Sequence, residues 1–374
     1  MSRSPYPEIP EHLAGAVLSI DLDAVAENYK TLCRQLNGVE CGAVVKANAY
    51  GLGAERVAPV LASAGCREFF VAHIDEGIWL RRVLPDTPIH ILNGLYEGAE
   101  EAFAEHDLIP ALGSLHEVTL WKRFCGDTPL PCDLHIDTGM LRLGFPPNEL
   151  AKIADDPNLI AGLDTQLVLS HLASADDVTS QQNAEQLAAF NRVRQIIPQG
   201  RASFCNSSGI FLGSDYHFNL GRPGVALYGA NPTPARSNPM RATISLKARI
   251  SQVRNAKVPE HVGYNATYAI TRPTRVATAP VGYADGVLRS LSNRSCGYIG
   301  EHRVPLIGRV SMDLITFDVS DVPEVQAQPG QWIEMIGPHH TVDDMAKDAD
   351  TIGYEILTSL GRRYHRVYKG GDDV

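Results

Sequence analysis

The chain has 374 residues, room for a barrel-sized domain and a smaller second one, because single cores stop growing near roughly 250–300 residues. Hydrophobic residues at 44% and charged residues at 20% exclude disordered, collagen-like and coiled-coil classes without naming any chemistry. A net charge of −10 with no basic block argues against a nucleic-acid partner, so any phosphate has to be met locally by backbone amides, hydroxyls and helix N-termini.

The opening "MSRSPYPEIPEHL" has no apolar signal core, and no run of about 18 apolar residues follows, so the expectation is a soluble cytoplasmic protein with no membrane partner. Seven cysteines form no C-x-x-C pair, and several sit in apolar runs, as reduced core residues do.

From residue 17 to about 230, short β-branched runs alternate with stretches of helical period. The strand candidates in chain order are "VLSIDL" (17–22), "CGAVVKA" (41–47), "FFVA" (69–72), "PIHIL" (88–92), "LIPAL" (108–112), "CDLHID" (132–137), "LVLSHL" (167–172) and "ASFC" (202–205). Eight such units predict an α/β fold, a (β/α)8 TIM-type barrel spanning 14–240. "NPTPARSNP" at 231–239 has linker composition. Period-two runs such as "ISLKARISQV" and "LITFDV" then predict a mostly antiparallel β domain over 241–374, which the segment 1–13 is free to join. One helix near 341–360 and a strand-like "RVYK" close the chain.

In a parallel barrel, functional groups collect where strands end and loops begin. "AVVKANAYGLG" puts Lys46 at such an end, with Tyr50 four residues on; a strand-edge lysine and a Schiff-base lysine fit that segment equally. His171 reads either as a hydrogen-bonded core histidine or as a site group. Asn206 and Ser207 in "FCNSSGIF" have an N-cap arrangement that is also a phosphate-binding one, and barrel phosphate sites cluster after strands seven and eight. In "NLGRPGVALYG", Gly221 and Gly224 admit close backbone approach, while Arg222 is either an inward fixed charge or half of a surface ion pair. Arg142, in the glycine-bounded turn of "IDTGMLRLGF", can bind a carboxylate or phenolate oxygen. Taken singly, "HVGYNATY", "PVGYADG" and "GRVSMD" are tight turns as readily as sites.

In this order, from "VLSIDLDAVAENY" at 17 to "GYEILTSLGRR" ending at 363, the motifs resemble the alanine racemase family of barrel-type pyridoxal-phosphate enzymes. The resemblance implies an isomerase that interconverts L- and D-alanine with pyridoxal 5'-phosphate, using two bases, in a homodimer with shared active sites and no metal. It implies Lys46 as the cofactor lysine and the base acting on the D-enantiomer, and Tyr264 as the opposite base, supplied by the partner subunit. Tyr50, Ser207, Gly224, Val225 and Tyr354 match the family's phosphate contacts. His171 matches the histidine near the pyridine ring, Asn206 its neighbour, and Arg222 the arginine facing the pyridine nitrogen. Arg142 matches the arginine contacting the cofactor phenolate and the substrate carboxylate. Tyr283 resembles the entrance tyrosine, and Met312 and Asp313 the substrate-side elements donated across the dimer.

Two positions depart from the family pattern. His135 stands where many members have a carbamylated lysine, which leaves a bound anion or a hydrogen bond from neutral His135 to orient Arg142. Ser311 stands where cysteine is frequent. The rival readings are a broader-specificity racemase and a decarboxylase of basic amino acids on the same fold, which needs no second base. A lone-barrel cofactor carrier has no use for the β domain. A metal-dependent hydrolase built on His73, His135 and His171 lacks H-x-H or paired-carboxylate spacing.

Overall fold

The computed structural model describes residues 9–371. Seven parallel strands, starting with Ala43–Val44 and ending with Arg201–Ser203, follow one another in chain order around a barrel. A short strand, Leu220–Gly221, closes the ring. It pairs in parallel with Glu40–Cys41 on one side, and on the other Asn219 and Arg222 donate backbone N–H bonds to Ala202 and Cys205, each at 3.0 Å. Both faces of the barrel strands are covered, so they read as continuous apolar runs such as Phe69–Val71 and Ile109–Leu112.

Two strand assignments change. "VLSIDL" was expected to open the barrel, but Ala16–Asp21 lies in the second sheet, between Ile244–Arg249, its antiparallel neighbour, and His365–Lys369, its parallel one. Its half-exposed Ser19 and Asp21 fit a sheet with one wet face. Asp21 then caps the following helix, Leu22–Leu36, by accepting from the Ala24 N–H at 2.8 Å, and that helix packs against the barrel. The true eighth barrel strand is the two-residue "LG" before Arg222, too short and glycine-rich for periodicity to reveal. Lys46 therefore ends the first barrel strand, not the second.

The second domain holds a six-stranded sheet built around Ala16–Asp21, and a three-stranded antiparallel sheet of Gln252–Ala256, Thr274–Ala279 and Ile315–Asp318. A small separate core of Val262, Ile270, Val276 and Ile307 supports the hairpin that carries Tyr264. The single helix expected near 341–360 is two, Val342–Ala349 and Gly353–Ser359, broken where Asp350 turns left-handed at φ 59°. All seven cysteines are free. No helix among the described residues is long and apolar enough to cross a membrane.

Candidate active site

The C-terminal ends of the barrel strands surround a cavity of about 880 Å³. Lys46, Tyr50, Arg142, His171, Asn206, Ser207, Arg222, Gly224, Val225 and Tyr354 all line it, together with His135. Tyr264, Tyr283, Met312 and Asp313 do not line it in the same chain.

Lys46 is placed by an unusual backbone. Ala47, Asn48, Ala49 and Tyr50 have φ values of 52°, 55°, 54° and 52°, so the chain makes one left-handed helical turn directly after the lysine. Such geometry costs roughly 1–2 kcal/mol per non-glycine residue, so the surroundings have to hold it. Glu76, which the sequence did not single out, does this. Its carboxylate accepts from the Ala47 N–H at 2.6 Å on one side, and from Ala72 and His73 at 2.8 and 3.1 Å on the other. One side chain thus ties the loop after the first barrel strand to the loop after the second. Burial, then the nearby Arg142 guanidinium, holds the Lys46 amine below its ordinary pKa.

Arg222 is not a surface ion-pair member. It is 4% exposed, and its guanidinium donates to the Ser203 hydroxyl and the Ser170 carbonyl. Ser203, also unsignalled in sequence, is held in turn by donating to Leu220 O at 2.6 Å. With no carboxylate to pair it, burial pulls the Arg222 pKa down to about 10, still charged at neutral pH. The histidines respond to the same field. Burial first, then Arg222, Lys46 and Arg142, pushes His171 down to about 3, and burial with Arg222 and Arg142 pushes His135 down to about 4. Both rings are neutral at pH 7.

At the far wall, Ser207 Oγ accepts from the Gly224 and Ala226 amides at 2.9 and 3.2 Å, which leaves its own hydrogen free to donate. Asn206 Oδ1 caps the next turn, accepting from Gly209 N–H at 2.9 Å. A side chain at Gly224 would bring its Cβ to 2.3 Å from the Tyr50 hydroxyl, so only glycine lets Tyr50 lie against this loop. Tyr50 stacks on Tyr228 at 4.7 Å and tilts toward Tyr354 at 6.0 Å.

Arg142 is exposed, and no side chain among the described residues pairs with it. No hydrogen bond joins it to His135. Its loop is held instead by Asp137, whose Oδ1 accepts from Gly139, Met140 and Leu141 N–H at 2.9, 2.9 and 3.2 Å.

The remaining four residues form a second group. Tyr283 and Ala284 donate backbone N–H bonds to Ser311 and Met312 carbonyls at 3.0 and 3.1 Å, an approach possible because Gly282 has no Cβ to strike those oxygens. Arg363 holds both sides of this turn pair, with two bonds to Asp285 and one of 2.8 Å to Asp313. Tyr264 stands clear at 71% exposed and Met312 at 54%.

Residues 20–232 match the model of the alanine racemase N-terminal domain and residues 243–368 that of its C-terminal domain. The chain is 49% identical over 364 residues to the alanine racemase of Rhodospirillum rubrum, covering 96% of this chain and 97% of the relative. The alanine racemase of Acidiphilium cryptum is also 49% identical, over 94% of this chain and 98% of its own. Among solved structures, alanine racemase from Bartonella henselae with covalently bound pyridoxal phosphate superposes with a TM-score of 0.92 at 43% identity, covering 95% of this chain and all of that one. With both halves matched in order around this cavity, the chain belongs to the alanine racemase family.

Proposed function

We propose that this protein is an alanine racemase that carries pyridoxal 5'-phosphate on Lys46 and works as a homodimer in which each cavity receives Tyr264 from the partner subunit. The observation that carries the reading is a cavity of fixed positive charge on whose wall one amine, Lys46, has a lowered pKa.

The donor set fits the cofactor. Lys46 offers an amine to its aldehyde. Ser207 offers a free hydroxyl hydrogen to its phosphate, beside the Val225 amide and the hydroxyls of Tyr50 and Tyr354, with no carboxylate in that wall. Arg222 offers its ring nitrogen a guanidinium. When bound, pyridoxal phosphate supplies an electron sink for negative charge at the substrate α-carbon.

The chain's own groups do the rest. Lys46, with its lowered pKa, takes or returns the α-proton at Nζ on one face. Tyr264 does the same at Oη on the other. The cavity that would receive it is lined by Lys46, Arg142 and Arg222. Arg222 keeps its proton at neutral pH, so it offers a hydrogen bond and no transferable proton. Arg142, unpaired by any side chain of its own chain among the described residues, is available for the carboxylate of alanine. Partner contact would also cover Leu141, Tyr264 and Met312, which in a lone chain stand 86%, 71% and 54% exposed.

Replacing Tyr264 with phenylalanine tests the two-base assignment. Exchange of the α-hydrogen of L-alanine into deuterated water should fall roughly 10²–10⁴-fold while D-alanine still exchanges; equal loss from both enantiomers would refute it. Borohydride-trapped cofactor should map to the Lys46 peptide.

A further inference from the structure

The second domain carries a cluster that racemase chemistry does not use. Cys296 opens the strand Cys296–Ile299, His340 lies in the turn after the strand Trp332–Ile336, and Asp348 is near the end of the helix Val342–Ala349. One ligand-capable atom from each lies within 4.8 Å of the other two, the one such trio found among the described residues. Cys296 and His340 are each 5% exposed, while the Asp348 side chain is 27% exposed, so one side of the cluster reaches water.

Hydrogen bonds decide where the lone pairs point. His340 Nδ1 lies 2.9 Å from the Met335 carbonyl oxygen, which can only accept, so Nδ1 carries the ring proton. In a neutral ring Nε2 is then a bare acceptor. It faces Asp348 Oδ2, another acceptor, at 3.1 Å. Two acceptors that close need a proton between them or a shared cation. The sulfur discriminates between these. A thiol adds little to an imidazolium–carboxylate pair, but with it the cluster is a compact S, N, O donor set suited to a borderline-soft divalent ion. The Nδ1–H bond to a carbonyl is also the support that orients metal-binding imidazoles.

We propose that Cys296, His340 and Asp348 bind a zinc ion, with water as the fourth ligand on the exposed side. The bonds formed are Sγ–Zn, Nε2–Zn and Oδ–Zn; the Cys296 S–H bond breaks, its proton passes to solvent, and nothing is oxidised or reduced. Affinity therefore rises with pH. The ion would pin the helix Val342–Ala349 to the sheet. That helix leads directly into Gly353–Ser359, which carries Tyr354.

The test is zinc titration of the cofactor-loaded enzyme after dialysis against a chelator, with metal content measured per chain. One zinc per chain is expected for the wild type, with affinity at least about 10-fold weaker in both Cys296→Ser and Asp348→Asn. Cobalt as a probe should give thiolate-to-metal absorption in the wild type and none in Cys296→Ser. Racemase activity should be unchanged in both variants. Asp348→Asn is near-isosteric at a partly exposed position, so it keeps the test open should Cys296→Ser fail to fold. A wild type that binds no zinc, or variants that keep wild-type affinity, would overturn the site and leave His340 and Asp348 as a plain imidazolium–carboxylate pair.

Discussion

At the C-terminal end of the barrel, His171 and His135 are pushed down to about 3 and about 4, whereas at the other end His90 is raised to about 9. His90 is fully buried, while His135 and His171 are half-buried on the cavity wall, and burial disfavours the charged form in each. The neighbours set the sign. His171 and His135 face Arg222, Arg142 and, for His171, Lys46. His90 is clasped by Asp133 at 2.7 Å and approached by Glu68 at 3.5 Å, and these outweigh its burial. Arg201 completes that network by pairing with Glu68 and with Glu40, which opens the short strand Glu40–Cys41. One end therefore pairs its own charges within the protein. The other leaves the Arg142 and Arg222 guanidiniums without carboxylate partners, which suits an anionic cofactor and a carboxylate substrate.

Four variants or conditions can break this division. The largest effect is expected from Asp133→Asn, which leaves a buried imidazolium without its main partner. Unfolding free energy measured in urea should drop by about 3–5 kcal/mol, with activity per folded molecule nearly unchanged. A parallel loss of cofactor binding would show that the two ends are not independent.

Next comes pH. The His90 pKa is raised above the ordinary value of about 6.5, so its contribution is fully present below that pH and is lost as pH climbs through about 9. His135 and His171 are lowered, so theirs is present above about 6.5 and lost as pH falls toward about 4 and 3. Stability should decline on both sides, by about 1.4 kcal/mol per pKa unit on the alkaline limb. His90→Gln should flatten the alkaline limb and spare the acid one; a profile that keeps both limbs would reassign them.

Glu76→Gln weakens charge-assisted bonds worth roughly 1.5–3 kcal/mol at the turn after Lys46. Hydrogen exchange of the amides at Ala47 and His73 should quicken, and cofactor retention should fall roughly 10–100-fold. Unchanged exchange would mean that the left-handed turn holds itself. The smallest effect is expected from Ser203→Ala, which removes one acceptor from Arg222 at a cost of about 1 kcal/mol, read as a few-fold loss in turnover.

Much of the cationic end was legible before any coordinates. Lys46, Asn206, Ser207 and Arg222 sit in glycine-flanked segments at strand ends, and all line one cavity. The self-satisfied end was not legible. His90 and Asp133 lie inside apolar strands 43 residues apart, and nothing in either strand announces a partner. Glu76 and Arg363 were missed for a related reason, since each looks like an ordinary helix-turn or surface charge until its backbone and carboxylate partners are in place.

The sequence by itself determined the family, the alternation of strands and helices, and the identity of most groups on the cavity wall, because these depend on local pattern and on residue type. Tertiary structure alone decided that Ala16–Asp21 belongs to the second sheet, that "LG" closes the barrel, and which histidines bear charge. Those outcomes depend on hydrogen bonds and Coulomb interactions between residues far apart in the chain. Their partners are chosen by strand pairing in space, which local periodicity does not record.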